Sequence, residues 1–293
     1  MRKNNEKREV EVTDSQQEIS DLPMTLPQEI ISAVDIVRKE INIFEGWLGR
    51  EKLVGSRGPT LPLLVTCDWH IPNVNPKWME RLRSVQKKRN ISNLVINGDF
   101  LDEVAASTYV NVGPQATLKE ELVIGSAVLN DLLDYFEKIY IVLGNHDLRL
   151  LKMVGKEAEV MLSEGYAKIL FGHMIDPYLF DTRVFVSNLK WCETSDGKWL
   201  IGHPDNYSRG GSVVPVKVAQ IKNKNVICGH GHHLAMAYTD NGDYLGIDGG
   251  GMFNSDSMLY KKICVDLHPE FNNGFVLLNE KGEAKLYGDG LED

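Results

Sequence analysis

The chain has 293 residues, 43% of them hydrophobic and 25% charged, enough to bury a sizeable core as one domain or two. A formal net charge of −9 gives no broad electrostatic footprint for nucleic acid or an anionic membrane, although a local basic groove on an acidic protein stays compatible with it. No uninterrupted apolar run approaches the roughly 20 residues of a membrane span, and the basic start of the chain lacks the apolar stretch of a secretory signal.

Residues 1–24 are charged and polar with little to bury, which predicts a disordered tail. Thr25-Leu26-Pro27-Gln28 has the form of a capping box, and behind it Ile30, Val34, Val37, Ile41, Phe44 and Leu48 step by four and three. That spacing predicts an amphipathic helix over 25–50, laid on its own domain. Val34, Ile41 and Leu48 also share one heptad position, so a homo-oligomer through this helix is the alternative. From Leu61 onward the pattern changes. Strands are expected at "LPLLVTC", "NLVING" and "KIYIVLGN", with helices "NPKWMERLRSVQKKR" and "TLKEELVIGSAVLNDLLDYF" between them. This β-α-β-α-β order implies a mainly parallel sheet with right-handed crossovers. "TRVFVSNLKWCE", "KWLIGHP", a helix near Val213–Lys222 and "NVICGH" follow. The last third holds short strands, "LAMAYT", "DYLGID", "KKICVDL" and "GFVLLNE", separated by Gly, Asn and Asp turns. They predict a second, mixed sheet packed on the first. The expected fold class is therefore α/β with mixed (α+β) character, in one domain over 51–293. Cys67, Cys192, Cys228 and Cys264 lie far apart and form no CxxC pair, as expected of reduced thiols in a cytoplasmic protein.

Five strand-to-loop junctions carry one kind of residue: Asp68-Trp69-His70, Gly98-Asp99-Phe100-Leu101-Asp102, Gly144-Asn145-His146-Asp147, Gly202-His203-Pro204 and Gly229-His230-Gly231-His232. Open α/β sheets gather ligands beyond the carboxyl ends of their strands. In an extended chain, residues i and i+2 point the same way, so Asp68 with His70, and His230 with His232, can each present two ligands to one region. Any one of these side chains could be an isolated polar cap; all of them in order are not explained that way. Carboxylate, imidazole and amide oxygen form a hard-to-borderline set that suits manganese, iron or zinc better than calcium or a thiolate-bound metal.

The order D-x-H, G-D-x-x-D, G-N-H-[DE], a lone His and G-H-x-H resembles the calcineurin-like metallophosphoesterases, and here it runs from residue 68 to 232. The resemblance implies a four-layer α-β-β-α sandwich. It implies that Asp68, His70, Asp99 and His232 hold one divalent cation, and that Asp99, Asn145, His203 and His230 hold a second, with Asp99 bridging. Manganese is the first choice, with iron, zinc or nickel as alternatives. His146 would bind no metal. It would protonate the leaving oxygen or stabilise charge on the phosphate, and Asp102 would orient it. The nucleophile would be a hydroxide bridging the metals.

His203 rests on the shortest block, and His173 is its rival; "KWLIGHP" has the strand-then-ligand form of the other junctions, which favours His203. Arg149 and Arg209 are candidates to pair with a substrate phosphate. His233 reads as a rim residue, Asp147 as an N-cap for the following helix, Cys67 and Cys228 as core, and "DGGG" at 248–251 as a turn. The protein phosphatases of this superfamily carry G-D-x-x-D-R-G and G-N-H-E, whereas this chain reads "GDFLDEVA" and "GNHDLR". Its "DWH" resembles the superfamily's DNA-repair nucleases. The expected activity is a phosphodiesterase acting on nucleotides or nucleic-acid ends, the alternative a phosphomonoesterase of a small phosphorylated metabolite or nucleotide. A non-catalytic scaffold is the reading from another class, and the complete ligand set argues against it. Specificity is expected in the long stretches 103–120 and 165–195.

Overall fold

A computed structural model describes residues 53–107, 116–149, 174–175, 182–187, 189–257 and 271–291. The readings for 1–24, 25–50, His173, Cys264 and "KKICVDL", with much of 103–120 and 165–195, fall outside these residues.

β1 (Leu63–Cys67), β2 (Asn93–Asn97) and β3 (Lys138–Val142) run parallel, linked by α1 (Pro76–Arg89) and α2 (Leu118–Leu133). Both helices start where side chains satisfy their free N–H groups. Asn75 accepts from the Lys77 N–H ahead of Pro76, and Thr117 forms a capping box with Glu120. β4 (Val184–Ser187) extends the sheet in parallel past β3. Antiparallel β10 (Gly274–Leu278) and β11 (Ala284–Gly288) extend it past β1, giving the order β11-β10-β1-β2-β3-β4.

The second sheet contains β5 (Trp191–Glu193), β6 (Trp199–Gly202), β7 (Asn225–Cys228), β8 (Leu234–Tyr238) and β9 (Leu245–Gly249), in the order β5-β6-β7-β9-β8. Its three central strands are parallel and its two edges antiparallel. α3 (Val213–Lys222) connects β6 to β7.

Period-two alternation explains the layers. Leu64, Leu94, Ile96, Ile139 and Ile141 turn outward onto Trp78, Leu82 and Val85 of α1 and Leu129, Leu132 and Leu133 of α2. Their neighbours Leu63, Val65, Val95, Tyr140 and Val142 turn inward and meet Trp199, Ile201, Ile227 and Ile247 of the second sheet. Ala219 of α3 covers Val226 and Cys228 from the far side. The result is the α-β-β-α sandwich, in which the strands of the first sheet are buried on both faces. Truncating a side chain such as Leu129 in this core costs about 2–5 kcal/mol.

Three features differ from the expectations. "GFVLLNE" does not join the second sheet: as β10 it pairs antiparallel with β1 in the first, because an apolar run marks a buried strand without fixing its partner. "TRVFVSNLKWCE" is not one strand: β4 lies in the first sheet and β5 in the second, with the chain crossing between them after Ser187. β11 was not among the expected strands, because "AKLYG" is only half-buried over its first three residues and alternates weakly.

Register positions the chemistry. Cys67, Asn97 and Val142 are neighbours across β1, β2 and β3, so these strands end at one level. Gly202 and Cys228 do the same for β6 and β7. All five junctions therefore leave the sheets side by side.

Candidate metal centre

Asp68, His70, Asp99, His230 and His232 adopt φ of 52°, 46°, 50°, 74° and 54°. Residues with a Cβ avoid this left-handed region, and holding one there costs of order 1–3 kcal/mol. Inter-loop hydrogen bonds sustain it. The Asp68 N–H donates to the Gly98 carbonyl (3.1 Å), and the Trp69 and His70 N–H groups both donate to the Asp99 carbonyl (2.9 Å each). Trp69 itself points away from the site, buried, with its Nε1–H on the Thr66 hydroxyl (3.0 Å). Glycine is required by crowding at three junctions, among them Gly229, where a Cβ would lie 2.6 Å from His203 Nδ1. A Cβ on Gly98 would lie 2.0 Å from His203 Nδ1, and one on Gly144 would lie 2.1 Å from Asp99 Oδ1.

Among the described residues, three groups of ligand atoms lie within 4.8 Å of one another: Asp68–His70–His232, Asp99–His203–His230 and His70–Asp99–His146. His70 Nε2 is 3.1 Å from His232 Nε2, which is 3.2 Å from Asp68 Oδ1. His203 Nε2 is 3.2 Å from Asn145 Oδ1. The structure thus brings together Asp68, His70, Asp99, Asn145, His203, His230 and His232, with Asp99 between the two halves. The rear imidazole nitrogens are engaged. His203 Nδ1–H donates to the Asn97 carbonyl (3.1 Å) and His70 Nδ1–H to Asp102 Oδ1 (3.3 Å), which turns both Nε2 atoms toward the position a cation would take.

Asp99 Oδ2 tests whether cations fit. It is buried and accepts no hydrogen bond, although His203 Nε2 lies 3.3 Å away and the Nε2 atoms of His70 and His146 each lie 3.9 Å away. An orphaned buried acceptor costs about 1–3 kcal/mol, more when charged, and a divalent cation would satisfy it. Two facing imidazole nitrogens at 3.1 Å likewise either share a hydrogen or point both lone pairs at one cation. The donor set and the orphaned oxygen fit divalent metal.

The charge balance agrees. Burial alone would raise the carboxyl of Asp99, but His203 and His146 hold it well below the ordinary range. Burial alone would lower His203, yet the carboxylates of Asp99 and Asp68 push it up to about 9, so these buried carboxylates draw a proton to the Nε2 side of the ring, where a divalent cation would supply the positive charge instead. Burial and the nearby His203 push His230 down to about 4.

Asp102 receives His146 Nδ1–H at 2.7 Å as well as His70. Arg149 Nη2 donates to His146 Nε2 (2.7 Å) and Nη1 to the Asp102 carbonyl (2.7 Å). His146 lies within ligand distance of Asp99, but its Nε2 faces a guanidinium. Arg209 is exposed on the loop after His203, beside Tyr207. Asp147 differs from its N-cap reading: its carboxylate turns back to accept from the N–H groups of Leu101 and Gly144 (2.9 Å each), so it ties two site loops together. In "DGGG" the N–H groups of Gly250 and Gly251 are taken by the carbonyls of His233 and Asn272, as in a turn.

Four residues escaped sequence reasoning. Buried Glu121 on α2 accepts from the N–H groups of Glu103 (2.7 Å) and Val104 (3.1 Å), directly after Asp102. Phe253 and Phe271 wall the first half of the centre, with ring centroids 4.9 and 4.8 Å from that of His232. Tyr207 lies beside His230, with ring centroids 6.5 Å apart. None belongs to a ligand pattern; "DNYSRGGS" offered only its arginine as a signal.

The family model described as calcineurin-like phosphoesterase matches residues 61–246. No curated protein matches. Among solved structures, YfcE, a phosphoesterase from E. coli, is 14% identical; the match covers 75% of this chain and 88% of that one, with a TM-score of 0.37. A single mutant of Vps29 from Entamoeba histolytica is 16% identical over 78% of this chain and 98% of that one, with a TM-score of 0.38. Vps29 from Chaetomium thermophilum is 11% identical over 80% and 96%, with a TM-score of 0.36.

Proposed function

Since the chain belongs to the calcineurin-like phosphoesterases and is a metal-dependent hydrolase of phosphoesters, we propose that it is a two-metal phosphodiesterase acting on nucleotides or nucleic-acid ends. The observation that carries the two-metal reading is Asp99 Oδ2, buried without a hydrogen bond between two sets of ligands. Asp68, His70 and His232 would hold one cation, Asn145, His203 and His230 the other, and Asp99 both. When bound, such cations supply Lewis acidity for the phosphoryl oxygens and lower the pKa of water, so that it attacks at neutral pH. Manganese is the metal proposed.

The chain's own groups do the rest. With the Arg149 guanidinium, which donates to His146 Nε2 here, turned onto the phosphate, His146 as an imidazolium would give its Nε2 proton to the leaving oxygen while its Nδ1–H stays on Asp102. Arg149, held on the Asp102 carbonyl, keeps a guanidinium beside that position, where it can meet a phosphate oxygen. The "DWH" block supports a diester, the absence of D-R-G argues against the protein-phosphatase branch, and the net charge of −9 favours short substrates over long duplexes. Cys67, Cys192 and Cys228 are buried free thiols, which supports a reducing, cytoplasmic compartment.

The test is a pair of esters. Protein loaded with Mn²⁺ is expected to hydrolyse bis-p-nitrophenyl phosphate faster than p-nitrophenyl phosphate. The reverse order would favour the phosphomonoesterase, and no turnover of either ester with manganese, iron, zinc or nickel would remove the enzyme reading.

A further inference from the structure

Tyr207 is an aromatic ring left 45% exposed beside the second half of the metal centre. Its edge meets the ring of His230 at 6.5 Å between centroids, and its face lies nearly parallel to that of His233, at 6.5 Å and 27°. Exposed tyrosines on loose loops are common; this loop is fastened along its length. Lys190 Nζ grips both carboxylate oxygens of Asp205 (2.6 and 2.7 Å). His233 Nε2–H donates to the Ser208 carbonyl (3.3 Å), and the Ser212 N–H donates to buried Asp248. At Gly211 the backbone runs so close to β8 that a Cβ would lie 2.8 Å from Ala235 Cβ. The ring is therefore carried on a rigid mount, and aromatic surface is kept in water next to a phosphate-binding position.

We infer that Tyr207 is the stacking platform for the base of a nucleotide whose phosphate lies at the cations beside His230. The inference rests on the proposed activity for its phosphate site and adds the group that reads the rest of the substrate. Stacking suits a nucleobase of any identity, because every base presents a π-face. Phe271 is the rival ring, but the rings of His232 and Phe253 already pack against it, at 4.8 and 5.8 Å between centroids. His233, whose Nε2–H holds the loop, is the positioning residue for the platform.

Calorimetry on the full, Mn²⁺-loaded chain tests this with two ligands that cannot be hydrolysed: methyl phosphonate and the 5′-methylenephosphonate analogue of AMP. The wild type is expected to bind the adenosine ligand roughly 5- to 150-fold more tightly, the range that one base–aromatic stack supplies. Tyr207→Leu should remove most of that preference while leaving methyl phosphonate affinity unchanged, which also reports an intact site. Tyr207→Phe should keep the preference. Equal affinities in the wild type, a preference that survives in Tyr207→Leu, or one lost in Phe271→Leu instead would overturn the inference. If the wild type binds neither ligand, the inference falls together with the phosphate site. A protein that favours the monoester in the nitrophenyl assay but prefers the adenosine phosphonate here would lose the diester reading and keep the platform.

Discussion

Asp102 serves two imidazoles through one oxygen, with His146 Nδ1 at 2.7 Å and His70 Nδ1 at 3.3 Å. The resemblance implied its pairing with His146 but not its contact with His70, since spacing in the chain says nothing about which loop crosses behind it. The two histidines should separate in experiment. His146→Ala is expected to keep full metal stoichiometry and lose roughly 10²–10⁴-fold in turnover, the usual worth of a general acid. Asp102→Asn should lower turnover and also weaken metal binding by about 10–100-fold, because it disturbs the group behind a ligand. Metal titration read beside turnover decides this. Metal loss in His146→Ala equal to that in Asp102→Asn would make His146 a ligand.

At the scale of elements, α2 does more than cover the first sheet. Its Glu121 reaches across to the loop 103–104 and caps two backbone N–H groups, while Glu103 sits at φ 44°. Burial pushes Glu121 up to about 7 from an ordinary 4.5, against the pull of those N–H donors. Between these values the folded chain keeps a proton that the unfolded chain has lost. The stability from this group is thus complete below about 4.5 and lost as the pH rises through about 7. Glu121→Gln has no such slope, so relative to the wild type it should gain stability between pH 5 and pH 8, read as the urea midpoint at each pH. A difference that stays constant over that range would show that Glu121 does not titrate in this way. The helix itself was expected from the sequence, but nothing in its pattern marked Glu121 as buried. The split of "TRVFVSNLKWCE" between sheets was equally hidden, because alternation marks a strand without saying which sheet it joins.

For the molecule as a whole, the βαβαβ order and the existence of a second, mixed sheet are legible in the amino-acid pattern, since continuous apolar runs bounded by turns leave few topologies, but the return of "GFVLLNE" to the first sheet is not. The convergence of the five blocks came from their shared position at strand ends, and the register of β1, β2 and β3 with that of β6 and β7 realises it. What chain order could not reveal is how loops from both sheets interlock: Asp68 accepts from the N–H of His230, 162 residues away, and His203 leans on the Asn97 carbonyl. Such a site exists only in the folded chain, so bound metal must also stabilise the fold. The central claim is a pair of divalent cations sharing Asp99, and the most direct measurement is metal content by mass spectrometry after Mn²⁺ loading and dialysis. Two equivalents per chain are expected for the wild type and one or none for Asp99→Asn; fewer than two in the wild type, or two retained in Asp99→Asn, would contradict the account.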